Sequence, residues 1–134
     1  MVDRRGTPLA CLLSPANCND NLMLEAALDA IPPIRRPRGR PRRRPAKLHG
    51  DKAYDSRACR HACRRRGITP RIARCGIESR EKLGRYRWVV ERTIAWLHRL
   101  RRLAIRYERR DDIHYAFLVL GCILICLNQI HRFC

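Results

Sequence analysis

Apolar positions along this chain recur with two periods. Over residues 83–107 the spacing is helical: at about 100° per residue, Val89, Thr93, Trp96, Leu100 and Leu103 fall within about 80° of one another, with Val90 and Leu97 beside them. Arg87, Glu91, His98 and Arg102 share the opposite, polar side. A second helix is predicted over residues 113–131. Its apolar run, residues 116–127, is too short to span a bilayer and reads as a buried helix. Nearer the start, residues 8–14 form a short apolar run behind Gly6 and ahead of Pro15, which predicts a buried strand. Asn19 or Asp20 can cap a helix over residues 22–30, stopped by Pro32 and Pro33. Short strands are expected around residues 47–50 and 68–74, with Pro70 placing the second at an edge. Between them Asp55 or Ser56 caps a helix reaching Arg66, and Gly67 stops it. Residues 75–82 read as a charged loop. Strand, helix, strand, helix, strand, helix, helix is the order of an α/β domain.

One stretch has neither period. Residues 32–46 carry arginine at 35, 36, 38, 40, 42, 43 and 44, interrupted by prolines and Gly39, and read as an extended basic loop. The loop is part of a wider imbalance. The 134 residues hold 30 Lys+Arg against 12 Asp+Glu, a net charge of +18. Such a charge opposes compaction unless a polyanion neutralises it, and DNA or RNA phosphates are the expected partner. An anionic membrane fits less well, because no basic amphipathic helix stands apart. The length suits one domain with one core.

Eight cysteines would suggest disulfides in a secreted chain. The N-terminus lacks the apolar segment of a signal peptide, so reduced, mostly buried cysteines in a cytoplasmic protein are expected. Cys59, Cys63 and Cys75 with His49 or His61 could form a zinc site, but no C-x-x-C knuckle supports it.

Two acids stand out among the arginines. Glu91 lies on the polar helix stripe with Arg87 one turn before it and His98 two turns after. A carboxylate can hold a metal there while cations meet phosphodiester oxygens. An ordinary solvated face with an Arg87–Glu91 pair explains the same spacing. Asp51 follows Leu48-His-Gly at a predicted strand end, where sites gather in open α/β sheets, although a turn aspartate is the simpler account.

The segment Leu48-His-Gly-Asp-Lys-Ala-Tyr-Asp-Ser56 resembles the region of the second aspartate in bacterial insertion-sequence transposases of the DDE superfamily. Arg87-x-x-x-Glu91 resembles the core of their Y-x-x-R-x-x-x-E-x-x-x-x-x-x-K signature. Gly6-Thr-Pro-Leu-Ala10, Ala16-Asn17 to Asp20, and Trp96-Leu-His-Arg-Leu-Arg-Arg-Leu103 match as well, in order along nearly the whole chain. The resemblance implies a ribonuclease H-like fold and two magnesium (or manganese) ions held by Asp, Asp and Glu. It makes Asp51 the second acid, Glu91 the third and Arg87 a phosphate contact. It departs at Gly84, which occupies the tyrosine position beside Tyr86, and at His98, which occupies the lysine position beside Arg99. The first aspartate would belong to an opening strand ahead of Met1; Asp3 and Asp20 are poorly placed to replace it.

The chain is therefore expected to be the C-terminal part of a transposase catalytic domain, lacking the opening strand and ending in helices. Its DNA contacts are expected from the seven loop arginines and Arg102. It would act on transposon ends, as a homo-oligomer or with a separate N-terminal segment. A catalytically inactive DNA-binding fragment that modulates the full-length enzyme is the alternative. An RNA-associated basic protein fits the loop alone but not the ordered motifs.

Overall fold

The computed structural model describes residues 1–35, 37–74, 76 and 80–131, with residues 80–87 as backbone only. It is a mixed helix–strand protein with a two-stranded parallel sheet. The chain divides into two compact units, Ser14–Arg87 and Met1–Leu13 with Trp88–Cys134.

The Ser14–Arg87 unit is built on a β–α–β crossover. Strand β1 (Lys47–Gly50) pairs in parallel with β2 (Thr69–Ile72), in the register Lys47–Thr69 to Gly50–Ile72. Parallel partners need a long crossover, and helix α2 (Arg57–Arg65) supplies it. Ser56 Oγ accepts from the Cys59 amide at 3.1 Å, satisfying one of the donors orphaned at a helix start. Gly67, at φ +69°, takes the left-handed turn that ends the helix. Asp55 does not cap: its carboxylate instead receives Arg60 Nη2 at 2.6 Å, and the same nitrogen donates to the Ile72 carbonyl at 3.0 Å.

Asn19 caps a 3-10 turn (Asp20–Met23) that leads into helix α1 (Leu24–Asp29). Leu24, Leu28, Ile31, Cys59, Ala62, Cys63, Ile68 and Ile72 form the core of this unit. Cys63 is fully buried, and burial pushes its thiol pKa up. α1 is also tied to α2 by charge. Asp29 accepts from Arg66 through both oxygens, at 2.9 and 2.6 Å, and Glu25 accepts from Arg65 and Arg66.

The Arg66 hydrogen bond is the leading cause holding the Asp29 carboxyl below its ordinary 3.8. A carboxyl lowered on folding stabilises the fold above its unfolded pKa, and that stabilisation is lost as pH falls through the folded value. The unfolding midpoint should therefore be insensitive to this pair above about pH 5 and decline below about pH 4. Asp29→Asn should shallow that acid limb; an unaltered limb would show that the pair contributes nothing.

The other unit uses the remaining helices from Trp88 onward. Helix α3 (Arg80–His98) ends with tight turns, Arg99 N to the Trp96 carbonyl and Leu100 N to the Leu97 carbonyl. A separate short helix α4 (Arg101–Ala104) follows, capped by Leu100 in extended conformation, so the expected continuous helix over 83–107 is broken. The long helix α5 (Asp111–His131) packs on this break. A Cβ on Gly121 would stand 2.9 Å from Leu97 and Leu103 side-chain atoms and 3.0 Å from Leu100.

The buried-helix expectation for 116–127 holds only for one stripe. Gly121 and Ile125 are buried, while Leu120, Ile123, Leu124, Leu127 and Ile130 are exposed. α5 is also long and apolar enough, by length and composition, to cross a membrane. Residues 8–14 are not a strand. Their neighbourhood holds one isolated bridge, Val2 with Pro8, and Leu12 and Leu13 are exposed. The Met1 ammonium and carbonyl pin this segment through the Ala10 carbonyl and the Leu9 amide.

Candidate functional site

Asp51 stands immediately past the carboxyl end of β1, as the strand prediction required. Gly50 makes this end tight. A Cβ there would lie 3.2 Å from Ile72 Cγ1, so a larger residue would press on β2, and 3.7 Å from Tyr54 Cβ, an ordinary contact. Asp51 Oδ1 accepts from the Lys52 amide at 2.6 Å and starts the 3-10 turn Lys52–Tyr54. Asp51 thus has the turn-aspartate role that its position also allowed. Tyr54 is half-buried; burial first, then the negative charges of Asp20, Cys59 and Asp51, raises its phenol pKa.

Glu91 lies on the exposed side of α3 in the other unit, and His98 on the same side at the helix end. The buried side of that helix is anchored by Thr93, whose hydroxyl donates to the Gly6 carbonyl at 2.9 Å. Gly6, at φ +82°, has no room for a side chain: its Cβ would be 2.8 Å from Thr93 Oγ1. Between Glu91 and Thr93, the Arg92 guanidinium is sandwiched by Trp88 at 4.4 Å and Trp96 at 4.7 Å, and donates to the Arg5 carbonyl. Sequence reasoning put Trp96 in the core but missed this cation–π ladder, whose i, i+4, i+8 spacing was readable. Trp88 and Val90 are exposed, the latter against its expected place beside the core.

Arg102 does not continue the Glu91 stripe. The break at Leu100 puts it on α4, where it pairs with Glu108 at 2.7 Å and lies over the Tyr107 and Phe117 rings. The Arg102 side chain stays largely exposed beside that ion pair. The Arg87 side chain lies outside the described residues, as do Arg36 and Cys75. Asp3, a conceivable third acid, accepts from the Arg5 and Thr7 amides, both at 2.8 Å, and closes its own turn.

Among the described residues no three His, Cys, Asp or Glu side chains gather as a metal site. Cys59 and Cys63 are buried free thiols in a helix, and Cys59 Sγ donates to the Asn21 carbonyl. Burial first, helped by Cys11, pushes the Cys122 thiol up to about 12, so it stays protonated rather than acting as a thiolate ligand.

The basic loop has more order than expected. Ile34 and Arg42 exchange both backbone hydrogen bonds at 2.8 Å, an antiparallel pair that closes the arm at its base. Arg42 Nε holds the Arg44 carbonyl, and Arg44 Nη1 reaches the Arg66 carbonyl. Beneath the arm, Leu28, Asp29, Ile31, Arg43, Arg44, Arg66 and Ile68 line a cleft of about 150 Å³. Arg35, Arg38, Arg40, Arg42, Arg43 and Arg44 are all exposed.

Residues 1–128 match the family described as "Transposase DDE domain". The chain is 56% identical over 132 residues to the "Putative transposase for insertion sequence element IS402" of Burkholderia cepacia, covering 98% of this chain and 63% of that protein. No solved structure matches.

Proposed function

We propose, from the premise that this chain belongs to the transposase DDE-domain family, that it is part of a DNA transposase. Asp51 and Glu91 would be its second and third catalytic acids, set in a ribonuclease H-like domain and acting on transposon ends in the cytoplasm. The observation that carries the reading is Asp51 at the carboxyl end of a parallel strand, with Gly50 closing β2 and Tyr54 around it.

The donor set suits the metal. Magnesium and manganese take carboxylate oxygens, and magnesium is commonly held by one or two carboxylates plus substrate phosphate. When bound, the ion would polarise a phosphodiester and activate the attacking oxygen. The chain's own residues do the rest. The Asp51–Lys52 hydrogen bond orients one acid, and the Thr93 and Arg92 anchors fix the helix that carries the other. The Arg87 position would supply a cation for phosphate, and His98 an imidazole N–H donor.

A first acid and the opening strand would come from a further segment, associated covalently or as a separate chain. The exposed edges of a two-stranded sheet and the exposed leucines and isoleucines of α5 fit such a partner, or a second copy. The alternative is an inactive DNA-binding fragment that modulates the full-length enzyme, a reading that the exposed Arg38, Arg40, Arg42, Arg43 and Arg44 serve equally.

Manganese affinity separates the two. Titration of the full chain with DNA present should show Mn²⁺ binding that weakens at least about tenfold in both Asp51→Asn and Glu91→Gln. Loss in neither variant, or in only one, would rule out a shared metal and leave the fragment reading.

A further inference from the structure

The arm formed by residues 34–42 has a tip that differs from a simple run of positive charge. Its base is the Ile34–Arg42 pair; its tip is Pro37-Arg38-Gly39-Arg40-Pro41. Gly39 turns at φ +87° with nothing within 4 Å of where a Cβ would stand, so the tip projects into open space. Arg38 and Arg40 are exposed, and no described acid pairs with them. In the same unit, Glu25 and Asp29 are engaged by Arg65 and Arg66.

We propose that this Pro-Arg-Gly-Arg-Pro tip reads the minor groove of A·T-rich duplex DNA, giving the arm a base-composition preference that phosphate contacts alone cannot provide. The inference rests on the DNA-binding reading above.

The steric argument is direct. The minor groove is about 6 Å wide, against about 12 Å for the major groove, which admits a helix or a two-stranded ribbon. Beyond the Ile34–Arg42 pair, only the narrow tip need enter, and its central residue has no side chain. Over A-tracts that groove narrows further, and its deepened negative potential draws arginine. Arg38 and Arg40, with Cα atoms at most about 7 Å apart, can point along the floor in opposite directions from Gly39. There, A·T pairs offer only acceptors, whereas the G amino group intrudes on G·C pairs. Pro37 and Pro41 fix their φ angles, which lowers the ordering cost of binding. They also bring no amide hydrogen that the groove must satisfy.

The experiment measures binding of the full chain to three short duplexes of equal length: A·T-rich, G·C-rich, and one in which inosine replaces guanosine. An I·C pair shows the major groove of G·C and, lacking the amino group, the minor groove of A·T. Minor-groove reading predicts that A·T and I·C duplexes bind about equally, each at least about fivefold tighter than G·C. The charge-conserving double variant Arg38→Lys/Arg40→Lys should lose that preference while keeping its salt dependence, because lysine is more strongly hydrated but carries the same charge. Gly39→Val should lose it as well. Equal affinity for all three duplexes would reduce the arm to phosphate binding, and tight binding to both G·C and I·C over A·T would assign it to the major groove. Either result overturns the proposal while leaving the DNA-binding reading intact. No binding to any duplex would overturn that reading and this one with it.

Discussion

Replacing the seven arginines at 35, 36, 38, 40, 42, 43 and 44 with glutamine should weaken duplex binding by the full chain on the order of a thousandfold at low salt. It should also flatten the dependence of log affinity on log salt by several units. Each phosphate neutralised adds about 0.9 to that slope, so the slope counts the contacts directly. The arm suits such contacts, since Arg35, Arg38, Arg40, Arg42, Arg43 and Arg44 are all exposed. Arg42 and Arg44 spend one donor each on backbone carbonyls, which shapes the arm without neutralising its charge. Elsewhere several arginines are committed to acids. Arg60 pairs with Asp55, Arg66 with Asp29 and Glu25, Arg102 with Glu108, Arg106 with Asp111, and Arg110 with Asp112. Anisotropy titrations at a series of salt concentrations would give both numbers. An unchanged slope would place the DNA surface outside the arm.

The parts of the fold legible in the sequence are those fixed by local chemistry. Asn19 and Ser56 cap where cap residues should, and Gly67 takes the left-handed turn that ends α2. Both strands appear near their expected positions, so the sequence alone sets Asp51 at a strand end. What was illegible depends on tertiary contacts. No glycine or proline marks the break at Leu100. In an unbroken helix Leu97, Leu100 and Leu103 would be spread over about 120° of its surface. The break lets all three converge on Gly121, and that requirement comes from α5 rather than from the local sequence. Residues 8–14 failed for a related reason. A short apolar run does not specify its partner, and here the Met1 backbone and ammonium group bind it instead of a neighbouring strand. For the site, the resemblance to transposases chose Asp51 and Glu91 from a dozen acids, whereas helical spacing alone also offered an ordinary solvated face. Spacing set Arg102 on the Glu91 stripe because it assumed an unbroken helix through Leu100, where the structure starts α4.

The largest effect is expected on strand cleavage. Supplied with the part of the Burkholderia relative that it does not match, by fusion or as a separate chain, this chain should nick DNA in magnesium or manganese. Glu91→Gln should then reduce nicking on the order of a thousandfold or more, because in-line displacement needs both attacking and leaving oxygens clamped by metal. The substitution isolates the charge. Glu91 is exposed, and α3 is held from its other side by Thr93 on Gly6 and by Arg92 between Trp88 and Trp96, so the neutral isostere should leave folding intact. Asp51→Asn should behave alike, since an amide oxygen can still accept from the Lys52 amide and keep the turn, while the ligand charge is lost. Thermal unfolding of both variants should therefore stay near that of the parent as cleavage disappears. Without the added segment the chain should not nick at a useful rate, because two carboxylates lack the third that fixes a pair of ions. Nicking that survives Glu91→Gln would remove Glu91 from the site. Robust nicking by this chain alone would point to Asp20 as the third ligand in preference to Asp3, whose Oδ1 already accepts from the Arg5 and Thr7 amides.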